Sequence, residues 1–250
     1  MQLLKWFLLN PGRRVSTEDL CALFWPGRRK KSATNNLHVN LNHLRHALEP
    51  SLPPGFSSTF IRSSQRNYYW FDPGNSWWTD ILEVQALSAT AGDADRRGET
   101  TRAIALYDQV VGYYRLTFLP EDVYEDAFTP YRQEHDLAHA HYLNRLMQLH
   151  LRTCQLPKAL SCAMDMMCID PYCREAVKTI VKVHTRQGNI AGAVRQLDNF
   201  FRTLEHDIGI TPDNELLALR DSLTLNCQVP HQGNVTPRAF RIPVPPWALR

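Results

Sequence analysis

Asn35, His38, Val39, Asn42 and Arg45 fall at helical spacing within "SATNNLHVNLNHLRHALEP", residues 32–50, and no Asp or Glu occurs from 32 to 48. Such a face suits the edges of nucleic-acid bases. Asparagine bonds bidentately to adenine, arginine to guanine, and an exposed valine can touch a thymine methyl, whereas carboxylates would be repelled by phosphate. With Leu37 at zero on a helical projection, Ala33, Leu41, Leu44 and Leu48 lie within about 40° and form a core stripe. The five polar-face residues and His46 occupy about 80° to 200° on the same projection. Arg28, Arg29, Lys30 and Lys31 precede this helix, and Arg62 and Arg66 follow it, placed to meet phosphates. Taken alone, an asparagine-rich helix face is equally a solvated surface. The elements around it decide between the two.

Those elements are legible up to about residue 75. "LLKWFLL" is the end of a helix closed by "NPG", and Ser16 opens a second helix with a Ser-x-x-Asp capping box to Asp19. That helix stops at Pro26-Gly27, and the third has Ser32 as its N-cap and ends at Glu49-Pro50. After "SLPPGFSS", the segment 59–72, "TFIRSSQRNYYWFD", has two β-rich runs around a polar tip, the pattern of a basic hairpin. Helix, turn, capped helix, basic loop, acid-free helix and basic hairpin predict a winged helix-turn-helix over 1–75. Its third helix would enter the major groove and its hairpin would be the wing.

From Asp80 the pattern is helix upon helix, over roughly 80–92, 99–114, 125–153, 157–168, 172–187, 190–206 and 213–223. "QLPKALSCAMDMMCIDP" and "NIAGAVRQLDNFFRTLE" align with Ala159 over Ala193, an offset of 34 residues. "GETTRAIALYDQVV" repeats the same glycine-to-alanine opening. A period of 34 with small residues at helix crossings is the tetratricopeptide pattern, whose helix pairs must stack to bury their apolar faces. The predicted fold class is therefore mainly α, with helical repeats over 76–225. The proline-rich stretch 226–250 is expected to be a flexible tail.

Composition supports the division. The chain has 250 residues, 44% of them apolar, enough for a real core. Residues 1–78 carry ten Lys and Arg against four acids, and the rest eighteen against twenty-one, so a polyanion would be met by the N-terminal third. The six cysteines lack C-x-x-C pairs and zinc-ligand spacing with histidine, which predicts reduced thiols in a cytoplasmic protein. The opening apolar run, broken by Lys5, lacks a cleavage site, and nothing else approaches the ~20 apolar residues of a membrane span.

"EHDLAHAHYL" places His135 and His139 four apart, but Asp136 stands where a zinc protease needs Glu and no third ligand is evident, so a polar stripe on a long helix is expected. The Met and Cys of "MDMMC", 164–168, are expected to pack between helices. No nucleophile stands in an elbow, so neither enzyme activity nor a cofactor or metal is predicted.

"VSTEDLCALFWP", "SATNNLHVNLNHLRHALEP" and the Arg-x5-Tyr hairpin from Arg62 to Tyr68 resemble the OmpR-type DNA-binding domain of the SARP class of bacterial transcriptional activators. "WTDILEVQAL", "AIALYDQVVGYYRLTFLPEDVYEDAFTPYRQEH", "DPYCREAV" and "LEHDIGITPDNEL" resemble the bacterial transcriptional activation domain that follows it in that class. The resemblance covers about 1–224. It implies a nucleoid-associated regulator of promoter DNA whose helical domain oligomerises and contacts proteins such as RNA polymerase. It also implies base reading by Asn35, His38, Val39, Asn42 and Arg45, phosphate contact by Lys30 and Lys31, and a wing carrying Arg62 and Arg66. The departure is at the start: members usually begin with a small antiparallel sheet, and here Met1 falls inside the first helix. A lone hairpin is marginal in water. Without that layer, the competing expectation is a helical-repeat interaction protein whose shortened winged helix no longer binds DNA.

Overall fold

Leucine and aromatic spacing in "QLLKWFLL" puts Leu3, Trp6 and Phe7 on the buried face of α1 (Gln2–Leu9). This is a computed structural model that describes residues 2–228 apart from 54, 65, 66, 75 and 76. Then come β1 (Val15–Ser16), α2 (Thr17–Phe24), α3 (Lys30–Leu48), β2 (Ile61–Ser63) and β3 (Tyr68–Phe71). The strands form an antiparallel sheet in the order β1-β3-β2, with Val15 opposite Tyr69 and Ile61 opposite Phe71. The hairpin is thus not alone. A two-residue strand has no periodicity to detect, yet it supplies the third partner that an isolated hairpin lacks. Arg66, expected at the hairpin tip, lies outside the described residues.

The helical region holds α4 (Asp80–Arg96), α5 (Thr100–Tyr114), α6 (Thr129–Arg152), α7 (Leu156–Ile169), α8 (Arg174–Arg186), α9 (Ile190–Thr203) and α10 (Asn214–Gln228). Its repeat is visible in how helices stop. Gly98, Cys154 and Gly188 all have positive φ, of 75°, 57° and 74°. In each case the next residue's N–H bonds the carbonyl five residues back: Glu99 to Ala94, Gln155 to His150 and Asn189 to His184. This is the Schellman closure. Five residues after each stop lie Ala103, Ala159 and Ala193, all fully buried. Cys154 therefore holds a backbone shape that its two counterparts give to glycine. The helix end at Gln228 also shortens the expected tail, of which 229–250 lie outside the described residues.

The chain divides into two compact units, residues 1–179 and 180 onward. In the first, α4 packs on α5, α5 on α6 and α6 on α7; in the second, α9 packs on α10. No boundary falls between the winged helix and the first repeats, and Phe128 explains why. It lies in a short 3-10 turn (Asp126–Phe128) before α6, and it is fully buried in one core with Leu3, Trp6, Phe7, Leu37, Leu41 and Phe71. Lys5 on α1 bonds Asp122 at 2.5 Å and Glu121 at 3.1 Å across this junction. The Lys5 hydrogen bond, outweighing burial, holds the Asp122 carboxyl below the usual carboxylate range. Asn10, also buried, donates to Tyr131 Oη at 2.6 Å.

On α6 the expected polar stripe is instead packed. Tyr114 stacks on His139 with ring centroids 5.6 Å apart, and His135 lies 4.6 Å from Tyr114 and 5.2 Å from Phe118. Of the "MDMMC" run, Met166 is buried as expected, but Met164 and Cys168 are exposed. Among the described residues, no group of three or more His, Cys, Asp or Glu could hold a metal ion.

Because Phe128 fills the core beneath α1 and α3, Phe128→Ala leaves a large cavity there. It should cost about 3–5 kcal/mol in denaturant unfolding, with residues 2–71 becoming protease-sensitive. His139 and His150, the latter fully buried on α6, make stability pH-dependent. His139 Nε2 and His150 Nδ1 are buried with no partner among the described residues, and burial lowers the pKa of both imidazoles below 6.5. The unfolded chain binds those protons at about 6.5, so stability is full above that pH and declines as pH falls below it. The urea midpoint should drop between about pH 7.5 and 5.5, and His139→Phe with His150→Leu should flatten the dependence.

Candidate nucleic-acid interface

The helix-turn-helix is fixed first at its turn. Ser16 caps α2: its hydroxyl oxygen accepts from Asp19 N at 3.0 Å, and the hydroxyl donates to the Asp19 carboxylate at 2.7 Å. The chain leaves α2 at Trp25, and Gly27, with φ of 77°, reverses it toward α3. α3 begins earlier than expected, with Arg29 rather than Ser32 in the N-cap position, three residues upstream, and no side-chain cap bond. The reason is local. Ser32 lies inside the first turn, and nothing in "RRKK" supplies a capping oxygen, so the first N–H groups of α3 remain open. Lys30 and Lys31 are consequently the first two helical residues. Cations there are disfavoured by the helix dipole, and an anion is favoured.

α3 is held by its apolar stripe and by its far end. Ala33, Leu37 and Leu41 are buried. The Glu49 carboxylate accepts from the Ser58 hydroxyl, the Thr59 N–H at 3.0 Å and the Thr59 hydroxyl at 2.5 Å. Partial burial works against its charge, but the Ser58 and Thr59 hydrogen bonds prevail and lower its pKa. Arg45 turns sideways: its Nε donates to Ile61 O at 3.2 Å and its guanidinium to Ser63 Oγ at 3.4 Å. α3 and β2 are thereby tied together at two points.

Four of the five residues expected to read bases, Asn35, His38, Val39 and Asn42, lie on the outer face of α3, and none of their side chains makes a hydrogen bond among the described residues. Val39 is 53% exposed, a large apolar side chain left in water on a polar face. Arg45, the fifth, is half-buried and engaged with the wing. Arg28, Arg29 and Lys31 are exposed, while Lys30 pairs with Glu18 of α2 at 2.5 Å. Arg62 pairs with Asp72 at 3.1 Å and donates to Thr59 O at 3.2 Å. Residue types alone conceal the roles of Glu18, Glu49 and Asp72, because each acts through a residue distant in sequence. Arg14 likewise gives no signal by type; its guanidinium lies 4.8 Å over the Trp70 ring, adding a cation beside the sheet.

Replacing Arg45 by alanine removes both ties to β2. Stability should fall by about 1 kcal/mol, and amide exchange at Ile61–Ser63 should accelerate while that of α3 itself changes little. Unchanged exchange in β2 would show that Arg45 does not hold the wing.

Residues 79–224 match the family described as bacterial transcriptional activator domain, and residues 1–67 match the C-terminal domain of transcriptional regulatory proteins. No curated protein sequence matches the chain. Among solved structures, Mycobacterium tuberculosis EmbR, determined in complex with a low-affinity phosphopeptide, aligns with a TM-score of 0.74 at 15% identity. The alignment covers 90% of this chain and 58% of that one, so this chain spans a little over half the length of that protein, and the likeness is one of fold. A winged helix followed by stacked helix pairs is the architecture this likeness supports. The chain belongs to the bacterial transcriptional activator domain family, and its pairing of that domain with a regulatory-protein C-terminal domain is that of a SARP-class regulator.

Proposed function

We propose that this regulator binds double-stranded promoter DNA sequence-specifically, with α3 in the major groove and the hairpin 59–72 as a wing on the flanking backbone. The observation that carries the reading is the acid-free outer face of α3, whose amides at Asn35 and Asn42 have no partners among the described residues and lie beside Arg28, Arg29 and Lys31. Amides that bond nothing within the fold keep both donor and acceptor available for base edges. Lys30 is held by Glu18, and phosphate competes with that carboxylate for it.

The protein works in this reading as a cytoplasmic, nucleoid-associated activator. Its helical domain serves oligomerisation and contact with proteins such as RNA polymerase. The segment between α5 and α6 offers a surface for such a contact, with Leu116, Val123 and Tyr124 exposed at 76%, 43% and 98%. Three tied carboxylates, Glu18, Glu49 and Asp72, stabilise the DNA-facing surface through their cation and hydroxyl partners. The third strand β1 supports the wing, which favours a DNA-binding winged helix over one that has lost that capacity.

Fluorescence anisotropy with promoter and unrelated duplexes across a salt series tests this. Lys30→Ala with Lys31→Ala should weaken binding to all duplexes and lower the slope of log K against log salt by about one for each phosphate no longer neutralised. Asn35→Ala with Asn42→Ala should leave that slope in place and reduce the difference between promoter and unrelated DNA. Binding unchanged in both variants would exclude α3 as the DNA-contacting helix.

A further inference from the structure

Asn35 and Asn42 are seven residues apart on α3. Seven residues advance about 10.5 Å along a helix and turn it by about 700°, which returns both side chains to nearly the same direction. Base pairs stack at about 3.4 Å, so two groups about 10.5 Å apart on one line span about three base-pair steps. Val39 lies between them, and on the projection that puts Leu37 at zero it falls at about 200°, beside Asn35 at about 160° and Asn42 at about 140°. All three lie opposite the buried stripe of Ala33, Leu37 and Leu41. Together with the exposed His46, at about 180° one turn beyond Asn42, they form the line on α3 farthest from the core.

The chemistry of those three residues is one-sided. An amide satisfies the paired acceptor and donor of adenine, N7 and N6, and an exposed valine matches the thymine methyl. Of the residue types that bond guanine bidentately, α3 holds Lys30 and Lys31 in its first turn, assigned above to phosphate, and Arg45, whose guanidinium is committed to Ile61 O and Ser63 Oγ. We propose that α3 selects an A·T-rich element: two adenines about three base-pair steps apart, read by Asn35 and Asn42, with a thymine methyl between them against Val39. Arg45 is then a positioning residue that sets the angle between α3 and the wing. This deepens the DNA-binding reading above and rests on it.

Selection of bound duplexes from a fully randomised pool tests the assignment. Enrichment of two adenines three steps apart around a thymine supports it. Asn35→Ala should then erase the preference at one adenine and Asn42→Ala at the other, each lowering affinity for the selected duplex about tenfold. Replacing the central thymine by uracil, which removes only the methyl, should weaken wild-type binding about fourfold and leave Val39→Ala unaffected. Since all three substitutions are on an outward face, unfolding midpoints should match wild type and show that the variants fold. Salt-dependent binding of every duplex with no enriched element overturns this base assignment while leaving DNA binding intact. A guanine-centred element overturns it too, and failure to bind any duplex at low salt overturns both readings.

Discussion

Phe128 is fully buried in a core whose other members lie far from it in sequence. It enters from the connector before α6 and packs where α1, α3 and β3 meet, with Leu3, Trp6, Phe7, Leu37, Leu41 and Phe71. The winged helix is small, and its sheet has strands of two, three and four residues. Such an element has too little area of its own to bury. The position of α3 therefore depends on a side chain supplied by the helical part, locked there by Lys5 with Asp122 and by Asn10 with Tyr131.

The consequence is mechanical. Asn10 adjoins the turn whose Gly12 N–H bonds Phe71 O at 2.8 Å, and Phe71 is the last residue of β3. Tyr131, Asn10, Phe71 and the wing thus form a continuous connection from α6 to the hairpin. Arg45 and Glu49 then carry it from the hairpin to α3. The DNA-facing helix is held on one side by apolar burial and on the other by hydrogen bonds to β2 and its approach. Apolar packing fixes depth, while the bonds made by Arg45 and Glu49 fix rotation, since they are directional.

Much of this is legible from residue order. Helix periodicity finds α2 and the seven later helices, because apolar spacing over two or more turns is a strong signal, but it misses the end of α4, the start of α6 and the end of α10 by about four or five residues. The capping serine of α2 and the leucine stripe of α3 also match. The parts that stay hidden share one trait, which is that a distant partner decides them. β1 is a strand only because β3 lies beside it. Arg45 has the place of a base reader on a helical projection and becomes a tie only once Ile61 and Ser63 are folded against it. His135 and His139 read as a solvated stripe until Tyr114 and Phe118 cover them. Cys154 gives no warning that it occupies a helix stop where Gly98 and Gly188 stand in the other repeats.

α3, held in this way, is the surface proposed to meet DNA, and hydrogen-exchange mass spectrometry of the whole chain with and without a tightly bound duplex tests that most directly. Added protection should concentrate in Lys30–Leu48 and in the hairpin strands Ile61–Ser63 and Tyr68–Phe71. Protection confined to α9 and α10, with α3 unchanged by bound DNA, would contradict it.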